Sequence, residues 1–216
     1  MRKVIASEWM SLDGVVQAPA YTDEDPSGGF KYGGWHLRYF EERSMKWLIE
    51  GVSGAGGFLL GRRTYDVFAE HWPEAPQEEQ AFAQPLNTLP KYVASRTLKE
   101  PLGWQNSMLL GDDIAESVAK LRRQDGKDLL LIGSTELAAA LLAHDLVDEL
   151  RLMIDPVILG GGKRFFRDDG VRRRFTLVTS ETITTGAILA TYARASAEAQ
   201  VGASAVPLPR PPRNRA

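Results

Sequence analysis

The chain has 216 residues, of which 44% are apolar and 25% charged, and its formal net charge is −2. These values are typical of one globular domain with a full core, and they exclude the strongly basic footprint of a nucleic-acid-binding protein. The absence of cysteine excludes disulfides, thiolate metal sites and a cysteine nucleophile. The three histidines lack metal-ligand spacing, so no metal site is expected. Without a signal peptide or an apolar run of about 20 residues, we expect a cytoplasmic protein that has no membrane partner.

Apolar periodicity and turn residues divide the chain into alternating strands and helices. In the first half they predict a strand at 4–10, a turn at 11–14, a long polar loop at 18–34, a helix at 37–50 that ends at Gly51, a strand at 57–60, a helix at 63–70 and a strand at 91–94. In the second half they predict a helix capped by Asp112, a buried strand at 129–132, a helix capped by Ser134, a strand at 149–154 and a hairpin of 174–183 with 187–194.

This alternation predicts an α/β fold: a mostly parallel central sheet with helices on both faces and a C-terminal antiparallel hairpin. The predicted domain covers residues 1–195. Residues 196–216 contain four prolines and three arginines without aromatic residues, and we expect them to form a disordered tail.

The most informative segment is 127–142, where a buried strand passes through Gly133 and Ser134 into a helix. Such a junction aims free backbone N–H groups at the carboxyl end of a sheet, where α/β proteins bind phosphate. An ordinary strand–helix connection without a ligand would have the same pattern.

Two further strand ends carry anion-binding chemistry. Gly61 is followed by Arg62, Arg63 and Thr64 in the first turn of a helix, where the helix dipole disfavours cations unless an anion is bound. The segment 95–97 places two hydroxyls around an arginine at another strand end. Three such ends in one sheet suggest a ligand with several phosphates.

The sequence resembles the dihydrofolate reductase-like superfamily, and most closely the branch that includes the C-terminal reductase domain of the bacterial bifunctional riboflavin-biosynthesis deaminase/reductase. The resemblance runs from about residue 2 to 194. It rests on the motifs Ser11–Gly14, Gly61–Tyr65, Ser95–Thr97, Ile132–Leu137, Leu141–Leu150 and Pro156–Gly162.

The resemblance implies an NADPH-dependent reductase. It assigns the pyrophosphate and adenosine side of the cofactor to Gly61, Arg62 and Thr64, and Arg63 of the same motif is a further cofactor-binding candidate. The ribose 2′-phosphate is assigned to Ser95 and Arg96, and Thr97 of the same motif is a further cofactor-binding candidate. A row of backbone N–H groups for the pyrophosphate is assigned to Gly133, Ser134, Thr135, Glu136 and Leu137.

The resemblance also places Asp13 near the nicotinamide and the substrate, where it would bind or protonate the substrate. The alternative role for Asp13 is a turn aspartate that bonds its own backbone. Nearby, Trp9 and Trp35 are candidates for a stacking wall and Gln17 for a polar contact with a flat heterocycle.

Together these features predict hydride transfer from NADPH to a pterin- or pyrimidine-like small molecule. Two alternatives stay open: a stand-alone riboflavin-pathway 5-amino-6-(5-phosphoribosylamino)uracil reductase, and an NADPH-binding protein without turnover. A homodimer is expected from the resemblance.

Overall fold

The computed structural model describes residues 1–195, and the predicted tail at 196–216 lies outside the described residues. Eight strands form one sheet. The strands are β1 (Val4–Ser11), β2 (Gly57–Gly61), β3 (Lys91–Ala94), β4 (Ser107–Leu109), β5 (Leu129–Ile132), β6 (Glu149–Asp155), β7 (Phe175–Thr182) and β8 (Ile188–Arg194). The α-helices are α1 (Glu42–Gly54), α2 (Arg62–His71), α3 (Gln80–Thr88), α4 (Ile114–Arg123) and α5 (Thr135–Ala143).

The strand order is β4-β3-β2-β5-β1-β6-β8-β7. The six strands from β4 to β6 are parallel, whereas β8 runs antiparallel to both β6 and β7. The predicted fold class, a mostly parallel α/β sheet with a C-terminal antiparallel hairpin, is confirmed. Within residues 1–195, none of the helices has the length and apolar character that a bilayer crossing requires.

Helices cover both faces of the sheet, which is why its central strands are buried on both sides. On β1, Val4, Ala6 and Met10 point into a cluster that includes residues of α4 and α5. Ile5, of opposite parity, packs against a second cluster that includes residues of α1, α2 and α3. Because successive side chains alternate between faces, the inner strands read as continuous apolar runs.

The helix predicted at 37–50 is shorter at its start and longer at its end. A 3₁₀ turn covers Leu37–Tyr39, and α1 begins at Glu42 because the Ser44 hydroxyl accepts the backbone N–H of Glu41 at 2.8 Å. Gly51 does not end the helix. A Cβ there would lie 2.5 Å from the Arg151 guanidinium, so this glycine permits close approach of a side chain from β6.

Two predicted caps differ in the structure. Asp113 rather than Asp112 caps α4, and its carboxylate accepts the backbone N–H of Glu116 at 2.8 Å. Ser134 stands at the N-cap position of α5, but its hydroxyl makes no capping bond because it contacts β2 instead.

Helix α3 and strand β4 were not predicted. Pro85 lies inside α3, which masks the helical pattern, and only Ala83 and Leu86 of this helix are buried. The buried ammonium of Lys91 donates to the carbonyl oxygens of Leu86 and Leu89 at 2.7 and 3.0 Å. A residue of β3 therefore caps the helix, a contact that local sequence does not show. Strand β4 has three residues at the sheet edge and no alternating pattern.

Candidate active site

At one point along the carboxyl edge of the sheet, the helical connections that follow two neighbouring strands lead away in opposite directions. Helix α2 leads from β2 to β3, whereas α5 leads from β5 past β1 to β6, on the opposite face. Strands β2 and β5 are neighbours, so their carboxyl ends flank a crevice between two helix N-termini. In open α/β sheets, such switch points are where ligands bind.

The two corners that flank this crevice are in contact. The Ser134 hydroxyl accepts the backbone N–H of Gly61 at 2.6 Å and lies 2.8 Å from the Thr64 hydroxyl. Gly133 and Ser134 both adopt a left-handed backbone, with φ of 59° and 62°, which makes a sharp turn between β5 and α5. Residues from two predicted cofactor motifs therefore meet at one place.

Glycine is required at position 61 by this contact. A Cβ on Gly61 would lie 2.8 Å from the Ser134 hydroxyl oxygen and 2.9 Å from its Cβ. A Cβ on Gly133 would lie 3.2 Å from the Thr64 hydroxyl. The two glycines thus let the corners pack directly against each other.

The start of α5 offers unused donors. The N–H groups of Thr135, Glu136 and Leu137 have no acceptor within the helix, because an α-helix leaves its first N–H groups unpaired. The Ser134 side chain does not satisfy them, since it makes no capping bond. The Glu136 carboxylate points to Arg167, with which it forms an ion pair. This helix start can bind an anion through its backbone.

The third predicted motif, Ser95–Thr97, follows strand β3 and lies beside the crevice. Ala94, the last residue of β3, pairs with Gly61, so Ser95, Arg96 and Thr97 emerge beside the crevice. The Ser95 hydroxyl accepts the N–H groups of Thr97 and Leu98 at 3.1 and 3.0 Å, which fixes the turn. Arg96 and Thr97 are exposed. Within residues 1–195, Arg96 forms no ion pair, so its guanidinium is free for an anion.

The arginines at the start of α2 are partly engaged. Arg62 pairs with Asp66 at 2.5 Å, one turn along the helix. Arg63 is exposed and lies 3.7 Å from Asp25, a residue of the long loop. Both guanidinium groups remain accessible at the mouth of the crevice.

The carboxylate of Asp13 is tied into a turn. It accepts the backbone N–H groups of Leu159 and Gly160 at 3.1 and 3.0 Å, and the hydroxyl of Ser11 at 2.7 Å. Partial burial raises the pKa of Asp13, but these hydrogen bonds outweigh it and hold the pKa below its ordinary value. This geometry favours the turn role. The catalytic role of Asp13 stays a prediction.

The predicted substrate residues lie close to one another. The Trp9 ring stacks on His36 with 4.1 Å between centroids, and the Trp35 ring meets the same imidazole edge-on. The Trp35 indole N–H donates to the backbone oxygen of Gln17 at 2.8 Å. The side-chain amide of Gln17 donates to the carbonyl oxygens of Asp25 and Ser27, and its oxygen accepts the N–H of Lys163.

Gln17 therefore joins the long loop after β1 to the glycine-rich loop after β6. The Lys163 ammonium adds an ion pair to Asp25 at 2.5 Å. Segments 27–32 and 161–163 of these loops, with Gln17, line a cavity of about 400 Å³. The loop predicted at 18–34 is held in place around this cavity.

His36 and Asp155 form a buried pair that the sequence analysis did not assign. His36 Nδ1 lies 2.7 Å from an Asp155 carboxylate oxygen, and both side chains are fully buried. Burial raises the pKa of Asp155, opposed by the hydrogen bond and charge of the imidazole. His36 Nε2 has no partner among the described residues. The two residues are 119 positions apart, and no local motif connects them.

Glu8 was also missed, although the sequence contains a signal for it. It lies between Ala6 and Met10 on the apolar face of β1, where a charged residue breaks the pattern. Burial raises the pKa of Glu8 to about 8.

These features define a protein of the dihydrofolate reductase-like fold, with free backbone N–H groups at a helix start beside the switch point of its sheet. A family model described as the RibD C-terminal domain matches residues 2–189. The chain therefore belongs to that family.

Individual proteins that are similar to this chain include a relative in sequence and two solved structures. The chain is 35% identical over 136 residues to the uncharacterized protein YyaP of Bacillus subtilis, a match that covers 62% of this chain and 71% of that protein. The crystal structure of a putative riboflavin biosynthesis protein from Shewanella sp. PV-4 superposes with a TM-score of 0.60 at 22% identity, over 90% of this chain and 99% of that one. Dihydrofolate reductase from Enterococcus faecalis, complexed with NADP(H), gives a TM-score of 0.56 at 12% identity, over 90% and 97% of the chains.

Proposed function

We propose that the protein is an NADPH-dependent reductase whose substrate is a pterin- or pyrimidine-like heterocycle. The observation that carries the proposal is the contact between the β2 and β5 corners, where Ser134 bonds to Gly61 and leaves the start of α5 uncapped. Family membership and the dihydrofolate reductase-like fold support a dinucleotide at this crevice.

The residues present fit NADPH. The uncapped N–H groups of 135–137 face the crevice that suits the pyrophosphate, and the exposed arginines at 62 and 63 flank it. The free guanidinium of Arg96 lies one strand further out, where it would pair with the ribose 2′-phosphate. When bound, NADPH supplies a hydride for the substrate, and the protein contributes orientation and a proton.

The substrate end of the cleft lies on the other side of the crevice, over β1 and β6. Trp9 and Trp35 flank the fully buried His36 there. Trp35 is itself buried, so the half-buried ring of Trp9 is the one with surface for a flat substrate. The cavity between segments 27–32 and 161–163 opens beside them. The specific alternative, a stand-alone 5-amino-6-(5-phosphoribosylamino)uracil reductase, is favoured by membership of the RibD C-terminal domain family.

Cofactor fluorescence and absorbance test the proposal in one series. NADPH is titrated into the protein, and the bound state is then mixed with dihydropterins or with 5-amino-6-ribosylaminouracil compounds. A fall in NADPH absorbance with one of them supports the reductase. A fluorescence change without any fall in absorbance supports a binding protein without turnover, and failure of NADPH to bind overturns the cofactor assignment.

The homodimer expected from the resemblance is also a proposal. Strand β7 forms one edge of the sheet and is exposed along nearly its whole length, including the apolar side chains of Leu177 and Val178. An exposed edge strand with apolar residues is suited to pairing with a second copy. Sedimentation of the protein with and without Val178→Lys tests this interface.

A further inference from the structure

The carboxylate of Asp25 lies between two cations that come from different parts of the sheet's carboxyl edge. Its Oδ2 atom is 2.5 Å from the Lys163 ammonium and 3.7 Å from the Arg63 guanidinium. Arg63 lies in the first turn of α2, directly after β2, whereas Lys163 belongs to the glycine-rich loop after β6. Strands β5 and β1 separate β2 from β6 in the sheet. Asp25 therefore connects the β2 side of the proposed cofactor crevice to the loop on its β1–β6 side.

The two oxygens of this carboxylate have separate partners. Oδ1 accepts the backbone N–H of Ser27 at 3.2 Å and the Ser27 hydroxyl at 2.6 Å, which fixes the turn at 25–27. Oδ2 faces the two cations. Partial burial raises the pKa of Asp25, but hydrogen bonds from Lys163 and Ser27 outweigh it and hold the pKa below its ordinary value. Asp25 is therefore an anion at neutral pH.

The sequence predicts an anion at the start of α2. Arg62 and Arg63 lie in the first turn of this helix, where the helix dipole disfavours cations unless an anion is bound. Arg62 pairs with Asp66 of its own helix, whereas Arg63 meets a carboxylate from the long loop after β1. A carboxylate offers a guanidinium the same kind of acceptor as a phosphate, namely a charged group with several oxygens. Asp25 thus lies where the sequence predicts a phosphate of the ligand.

The contact between Asp25 and Arg63 is weak enough for a ligand to replace it. Both side chains are partly exposed, and exposed ion pairs stabilise proteins little. A pyrophosphate carries two negative charges and accepts charge-assisted hydrogen bonds, so it attracts a guanidinium more strongly than one carboxylate does. Loop 18–34 does not depend on this pair, because Lys163 and the side-chain amide of Gln17 hold the loop from the other side.

We infer that Asp25 is an internal competitor of the cofactor phosphates: it occupies Arg63 while the crevice is empty, and the pyrophosphate of NADPH takes its place beside Arg63. This inference rests on the proposed function and adds a control of affinity to the same site. Part of the attraction between the cofactor and Arg63 is used to displace a carboxylate of the protein itself.

Asp25→Asn tests the inference because it changes only one of the two oxygens. The asparagine Oδ1 still accepts from Ser27, whereas an uncharged amide replaces the Oδ2 atom that faces the cations. We expect the dissociation constant of NADPH, measured by fluorescence titration, to fall by about three- to fivefold. Asp23→Asn is the matched control. It removes the same charge from the same loop, at an exposed position that forms no ion pair within residues 1–195, and affinity should stay within about 1.5-fold.

A double-mutant cycle separates competition from repulsion at a distance, since removal of a carboxylate near the phosphates would tighten binding in either case. Asp25→Asn is therefore also measured in an Arg63→Gln background. Loss of the gain in that background supports the inference, because Asp25 then acts by occupying Arg63.

Three results contradict the inference: a gain that persists with Arg63→Gln, an equal gain in Asp23→Asn, and an NADPH affinity that Asp25→Asn leaves unchanged or weakens. Absence of NADPH binding in the unmodified protein and in every variant would instead overturn the proposed function. The two failures are thus distinguishable.

Discussion

The β3–β2–β5 half of the sheet's carboxyl edge and the β1–β6 half are built from different groups. In the first half, backbone N–H groups, glycines and a few hydroxyls make the contacts, and the arginines stay exposed. In the second half, ionisable side chains are buried: Glu8 on one face of β1, and His36 with Asp155 on the other. The first arrangement suits binding of a charged ligand, and the second suits control of protons in a dry environment.

The largest expected effect concerns the second half, β1–β6, where the ionisable side chains are buried. Glu8 has its pKa raised to about 8 in the folded protein, whereas an unfolded glutamate titrates near its ordinary value of 4.5. The folded state therefore binds more protons between these values, so the stability from this group is present below the lower value and lost as pH rises through 8. The loss is roughly 3–5 kcal/mol.

Thermal unfolding of Glu8→Gln against the unmodified protein measures this loss. We expect the difference in melting temperature to shift in favour of the variant from pH 5 to pH 9, because glutamine does not ionise. If the melting temperatures of the two proteins change with pH in parallel over that range, Glu8 titrates near its ordinary pKa. Glu50→Gln, at an exposed position of α1, controls for the same substitution outside the buried half.

The next prediction disrupts the first half, β3–β2–β5, where the cofactor phosphates are proposed to bind. Gly61→Val would force its side chain against Ser134, where even a Cβ lies 2.8 Å from the hydroxyl oxygen. We expect NADPH affinity to fall by about a hundredfold or more, since the two corners must separate and the pyrophosphate site lies between them. Gly103→Ala is the matched control, because a Cβ there has no neighbour within 4 Å. Unchanged NADPH affinity in Gly61→Val would place the cofactor elsewhere.

Arg96→Ala tests whether the first half, β3–β2–β5, distinguishes NADPH from NADH. Loss of a charge-assisted contact costs roughly 1.5–3 kcal/mol, or about ten- to a hundredfold in affinity. We expect this loss for NADPH and little change for NADH, which lacks the 2′-phosphate. Arg123→Ala, an exposed arginine at the end of α4, should alter neither. Equal affinity of the unmodified protein for NADPH and NADH contradicts the role of Arg96.

The smallest effect concerns Asp13, which follows β1 in the second half and bonds to the turn after β6. An asparagine cannot accept both backbone N–H groups of the 159–160 turn, so Asp13→Asn should destabilise the fold by about 1–2 kcal/mol. The hydrogen bonds lower the pKa of Asp13, so its contribution is present above the unfolded pKa and is lost as pH falls through the folded one. The difference in melting temperature between the unmodified protein and Asp13→Asn should therefore be largest near neutral pH and should disappear at acidic pH.

Turnover of the same variant addresses the catalytic prediction. If Asp13 supplies the proton, turnover falls by about 10²–10⁴-fold while NADPH affinity stays the same. If it only holds the turn, turnover changes in proportion to the folded fraction.

The contrast between the halves explains what the sequence could predict. Each predicted phosphate-binding corner is a local pattern at the end of a strand, so the sequence alone predicts that Gly61, Ser95 and Gly133 follow or end neighbouring strands. The contact between Ser134 and Gly61 was not predictable, because a serine at that position normally caps its own helix. The pair His36–Asp155 spans 119 positions and leaves no pattern, and α3 is hidden by Pro85 and by a cap from Lys91.

The position of β1 has a consequence for synthesis of the chain. This strand is synthesised before the other seven strands of the sheet, yet it lies in the interior between β5 and β6, with which it pairs across more than 120 residues of sequence. Its apolar residues have no partner strands until residues 129–155 have emerged. Such a topology has a high contact order and folds slowly. Nascent chains that do not yet include β6 therefore expose an unpaired apolar strand, the kind of surface on which incompletely folded chains aggregate.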